Sequence, residues 1–135
     1  MTYDEAIATI AGKLDSIDGL PNVSDATLNP DSAPTPSIYL YDEEEILESA
    51  DLQRSDITAS TARAIIMLKT GKTGNRNAAK ECRQRVETIV TAIQALSATQ
   101  PDFTVFVSRV RYAYDLAHST WAVAFLSLTV EAYRR

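Results

Sequence analysis

The sequence predicts an α+β domain, an antiparallel sheet of about four main strands with two helices on one face, in the order α-β-β-α-β-β. Three observations predict it. Two stretches carry apolar residues at helical spacing, four others are β-rich in composition or alternate with a period of two, and these four fall into hairpin-like pairs. At 135 residues, 45% hydrophobic and 23% charged, the chain reads as one domain over 1–135 that buries about two-thirds of its unfolded surface.

The first helix is expected over residues 2–17, where Ala6, Ile7, Ile10, Leu14 and Ile17 make one apolar stripe. Thr2 has the position of an N-cap with Glu5 three residues on, and Asp4 and Glu5 suit the positive helix end. Asp18-Gly19 ends the helix. Residues 21–37 hold four of the five prolines and read as an extended connector.

The run "IYLY", Ile38 to Tyr41, has the composition of a strand and leads directly into Asp42, Glu43, Glu44 and Glu45. Four successive acids repel on both faces of a strand, so residues 42–60 are expected to form an exposed acidic hairpin or loop. "TARAIIMLKT", 61–70, reads as the second strand, with Ala62, Ala64, Ile66 and Leu68 on one face and Arg63, Ile65, Met67 and Lys69 on the other.

After it comes "GKTGN", which invites comparison with a phosphate-binding loop. That loop needs a glycine five residues before the Gly-Lys-Thr, where this chain has Ile66 inside an apolar run. The segment is therefore read as a turn. A long helix follows from Asn77 to about Ala98, with Cys82, Val86, Ile89, Val90, Ile93 and Leu96 on the stripe that must lie on the sheet.

Pro101 closes the next connection, and the third strand begins at Phe103. Its apolar register is odd through Val107 and even from Val110, so a bulge is expected near Ser108, because one extra residue exchanges the two faces of a strand. A turn at His118-Ser119-Thr120 precedes "WAVAFLSLTVEAY", which alternates cleanly. Its start is apolar on both sides, which predicts a central strand.

Most catalytic and metal chemistry finds no support. One cysteine, Cys82, and one histidine, His118, cannot build a structural zinc site or an internal disulfide. Cys82 lies on the core stripe of the helix and reads as a small core residue. Asp115, His118 and Ser119 are close in sequence, but neighbours in a strand and its turn rarely converge as a hydrolytic triad does. The acids Asp42 to Glu45 lack the spacing and positioning glycine of a calcium loop. No catalytic residue, cofactor or metal site is assigned. The N-terminus carries acids where a signal peptide carries bases, and no apolar run is long enough to span a bilayer, so the expectation is a protein without membrane association, made in a cytoplasm.

Charge is unevenly distributed. Residues 1–60 carry 13 acids against Lys13 and Arg54, a balance of −11, and residues 61–135 carry 11 bases against 5 acids, a balance of +6, within a net charge of −5. Either the two halves neutralise each other within one monomer, or oppositely charged faces stack copies head to tail. The bases Arg76, Lys80, Arg83, Arg85, Arg109 and Arg111 could meet phosphates, but without the aromatic spacing of base-stacking platforms, and a pI near 4.8 disfavours free DNA.

The N-terminal helix, the proline-rich lead into "PSIYLYDEEE", the long polar hairpin, the long amphipathic helix and the closing strands ending in "SLTVEAYRR" resemble the tail terminator and tail-completion (neck) proteins of long-tailed bacteriophages. The resemblance covers nearly the whole chain and rests on length, element order and texture. It implies a structural virion protein rather than an enzyme, assembled in the host cytoplasm, forming a homo-oligomeric ring, hexameric by expectation. Such a ring caps the tail tube, joins the head connector or a head-completion protein, and lets DNA pass without binding it specifically. On this reading Asp42, Glu43, Glu44 and Glu45, together with Arg76, Lys80, Arg83 and Arg85, are the candidate subunit or partner contacts. Two alternatives stand beside it: a head-completion or other neck protein, and a small nucleic-acid-binding module.

Overall fold

In the computed structural model α1 spans Tyr3–Asp15, β1 Ser37–Asp51, β2 Asp56–Gly71, α2 Ala78–Thr99, β3 Phe103–Tyr114 and β4 Trp121–Tyr133. The structure describes residues 3–17, 19, 36–51, 56–71, 77–114 and 121–133. The element order is the α-β-β-α-β-β that the sequence predicts, and the class is α+β. Thr2, connector residues 21–35, the turn at 72–76 and the Asp115 to Thr120 segment lie outside the described residues.

The strands make a single antiparallel sheet in the order β1-β2-β4-β3. β4 is central, as its two apolar sides require, and β1 and β3 are the edges. Both helices pack on one face. Ala6, Ile10 and Leu14 of α1 and Ala78, Cys82, Val86, Ile89, Ile93 and Leu96 of α2 join one buried cluster. The sheet contributes the alternate residues Ala64, Ile66 and Leu68 of β2, and Ala122 through Ala132 at every second position of β4. Ile89 and Ile93 are fully buried, and taking each such side chain from water is worth about 1.5–3 kcal/mol.

α2 is fixed at both ends by polar contacts that its length makes possible. At its start Asn77 has an extended backbone, and its Oδ1 accepts from the Lys80 N–H at 2.9 Å, satisfying a donor of the first turn. The buried Thr70 hydroxyl at the end of β2 donates to the Ala78 carbonyl at 3.0 Å. Near the other end, the Ser97 hydroxyl accepts from the Val105 N–H of edge strand β3 at 3.1 Å.

The bulge expected near Ser108 is present. Val107 pairs with Leu128 and Arg109 with Ser127, leaving Ser108 as the extra residue, whose hydroxyl donates to the Ser127 carbonyl at 3.1 Å. Phe103 and Val105 before the bulge, and Val110 after it, consequently face the same helical layer.

The first hairpin is longer than its apolar run suggests. β1 continues from "IYLY" through the acids to Asp51, and β2 begins at Asp56 rather than Thr61, so the backbone of 46–60 is an extended hairpin arm where it is described. In the backbone register the residues opposite the acids are small or basic: Asp42 is paired with Ala64, Glu44 with Arg63 and Glu45 with Ala62. None of the acids at 42–45 pairs with another acid, unlike Asp51 with Asp56, and a register shift at Glu43 interrupts the alternation.

Candidate subunit interface

The residues predicted to meet a partner occupy different layers. Asp42, Glu43, Glu44 and Glu45 lie on the backbone of edge strand β1. Lys80 and Arg83 are exposed on α2, in the helical layer, and Arg76 is outside the described residues. The structure does not gather the acids and these bases into one patch.

Arg85 differs from the other helix bases. Its Nε donates to Glu81 Oε1 at 3.1 Å, an i,i+4 ion pair whose two side chains are 29% and 12% exposed. The same guanidinium covers Gly19 beyond the end of α1, where φ is +77° and an added Cβ would stand 3.3 Å from Nη2. Arg85 thus lies between Glu81 and Gly19, where the backbone conformation disfavours a side chain.

Cys82 is fully buried in the main cluster. Burial pushes its thiol up from the ordinary 9.0 to about 11, against the smaller opposing effects of a hydrogen bond with Thr70 and the charge of Arg83. A thiol held neutral in this way is a packing group, not a nucleophile. Among the described residues no group of three or more His, Cys, Asp or Glu could hold a metal ion, and no helix is long and apolar enough to cross a membrane.

The sheet face opposite the helices has two zones. Toward one end, Met67 and Val123 are fully buried among Tyr39, Trp121 and Phe125. Lys69, only 4% exposed, places its ammonium 5.3 Å from the Trp121 ring centroid, and Arg111 stands 5.1 Å from that of Phe125. Toward the other end the same rows turn polar, and the Ser108 bulge opens a concavity of about 370 Å3 lined by Arg63, Ser108, Arg109, Ser127, Leu128 and Thr129.

Sequence reasoning missed this concavity. Arg63 comes from β2, Ser108 and Arg109 from β3, and Ser127 and Thr129 from β4. The one available signal was the parity change at Ser108, which marks where β3 bends. Beside it, Phe106 of β3 is 55% exposed and pairs with Thr129, so an aromatic side chain flanks the two arginines.

No protein-family model matches the chain, and no curated protein matches it. Among solved structures, one described as a core domain from Akkermansia muciniphila is similar over 98% of this chain and 82% of that one, with 10% identity and a TM-score of 0.44. At that level of likeness nothing about function is carried across to this chain.

Proposed function

We propose that this chain is a structural virion protein, a phage tail terminator whose copies form a ring, hexameric by expectation, that caps the tail tube and joins the head connector. The observation that carries the reading is the placement of charge on the sheet: the acidic run lies on one edge strand, and Arg109 and Arg111 lie on the other. A patch of one sign on one side and of the other sign on the opposite side fits a heterologous contact, the kind that closes into a ring when the rotation permits. The reading assigns the chain no catalysis and no cofactor.

Light scattering over a concentration series at low and high salt, followed by negative-stain imaging of the largest species, tests it. Rings of about six copies that loosen at high salt are expected, since screening shortens the reach of exposed charge from about 10 Å at about 0.1 M to about 3 Å at about 1 M ionic strength. A strict monomer at every concentration and salt, with or without tail tubes added as template, would overturn it.

One observation favours a second reading. The exposed Phe106 beside Arg63 and Arg109 offers a stacking group next to cations, as a single-strand nucleic-acid module would. That reading requires oligonucleotide binding that falls steeply with added salt.

A further inference from the structure

We propose that the concavity at the Ser108 bulge is a socket for the acidic segment Asp42 to Glu45 of a second copy of this chain, an inference that rests on the ring reading above. The lining supplies two guanidinium groups, from Arg63 and Arg109, and the hydroxyls of Ser127 and Thr129, while that of Ser108 already donates to the Ser127 carbonyl. Arginine is always charged and always a donor, with a planar fork that matches a carboxylate, and hydroxyls can turn to donate beside it. The matching ligand is therefore a carboxylate. At about 370 Å3 the concavity has room for more than one.

Within one protomer the backbone register sets one of the four acids opposite an arginine. Of the four acids, Glu44 faces Arg63 across the β1–β2 ladder, whereas Asp42 and Glu45 face alanines and Glu43 sits in the register shift. Arg109 faces Ser127 and stands on the far edge of the sheet, with β2 and β4 between β3 and β1. The acidic run thus lies on one edge strand and Arg109, with Arg111, on the other. A second copy presenting its β1 edge to the open face near β3 would match the two, and the same contact would repeat from copy to copy.

The whole chain favours a second copy over nucleic acid as occupant. The net charge of −5 opposes either occupant at long range, but every copy carries its own acidic segment on the β1 edge strand, so the matching carboxylates are present wherever the chain is.

Charge reversal on each side, alone and mixed, provides the test. Glu43→Lys, Glu44→Lys and Glu45→Lys combined make one variant, and Arg63→Glu with Arg109→Glu makes the other. Each alone is expected to lose assembly, with contact affinity down about tenfold or more. A 1:1 mixture is expected to recover rings in which the variants alternate, because each reversed surface then meets its opposite. Either variant assembling alone like wild type, or a mixture that stays dissociated, overturns the socket.

A second measurement is independent of ring formation. A synthetic peptide of residues 37–51 is titrated into wild type and into Arg109→Glu, both checked for folding by circular dichroism. Binding to wild type alone supports the socket even if wild type is monomeric, in which case only the ring reading falls. Equal binding to both overturns the socket even where rings form. If Arg63→Glu with Arg109→Glu assembles normally but loses salt-sensitive binding of an oligonucleotide, the concavity is a phosphate site instead.

Discussion

Deleting Ser108 should leave the fold intact, although removing a residue from a strand normally exchanges its faces. With Ser108 gone, Val107 still pairs with Leu128 and Arg109 with Ser127, so the ladder becomes regular and no side chain changes side. The loss is the exposed hydroxyl's bond to the Ser127 carbonyl, about 1 kcal/mol. The control is deletion of Ser127, opposite it in central β4, where nothing absorbs the change. That deletion would turn Leu128, Val130 and Ala132, each at most 1% exposed, away from the core and bring Thr129 and Glu131 beneath the helices. The lost burial alone is on the order of 5 kcal/mol, comparable with the whole stability of many domains. Urea unfolding followed by far-UV circular dichroism measures both. A folded Ser108 deletion within about 1.5 kcal/mol of wild type, beside an unfolded Ser127 deletion, is expected. Loss of more than about 3 kcal/mol on deleting Ser108 would refute the bulge as the device that keeps β3 in register.

Two further outcomes follow from α2. Asn77→Ala removes the acceptor that holds the Lys80 N–H and should cost about 1 kcal/mol in urea unfolding, whereas Asn77→Asp should cost little. Cys82 makes stability depend on alkaline pH. Between 9.0 and about 11 the unfolded chain gives up a proton that the folded chain keeps, so stability falls across that window. The loss is on the order of 2 kcal/mol by the upper end. Unfolding wild type and Cys82→Ala at a series of pH values isolates it, because lysines and tyrosines titrate in both; parallel curves would remove the assignment.

Much of the fold was legible because its elements state their surroundings locally. β4 shows its central place in the apolarity of Trp121, Val123 and Phe125 opposite Ala122, Ala124 and Leu126, since only a strand covered on both sides can have two apolar rows. The Ser108 bulge shows in a change of parity. What sequence did not disclose depends on partners far along the chain. The strand through Asp42 to Glu45 looks forbidden until Ala62, Arg63 and Ala64 stand opposite it. Arg85 reads as a surface base among others, and the Glu81 four residues before it was a signal not used; its cover over Gly19 could not be read at all. Lys69 illustrates the same limit: it is buried, and the Trp121 ring 5.3 Å from its ammonium comes from 52 positions away in the chain.

The two open edges of the sheet bear on how copies could meet. An edge strand presents unpaired backbone groups and invites unselective pairing unless charge, a bulge or a covering element prevents it. Both edges here carry such features: β1 has four consecutive acids and register shifts, and β3 has the Ser108 bulge and a Val105 N–H already bonded to Ser97. Continuing the sheet from one copy into the next would have to straighten a bulge and detach that N–H. A contact through side chains on the open face needs neither. The two modes differ in their response to salt, since a backbone ladder is nearly indifferent to ionic strength while exposed carboxylate–guanidinium contacts weaken as screening grows. Assembly that survives high salt unchanged would point to sheet extension, and assembly that dissolves there would point to the arginines at the bulge.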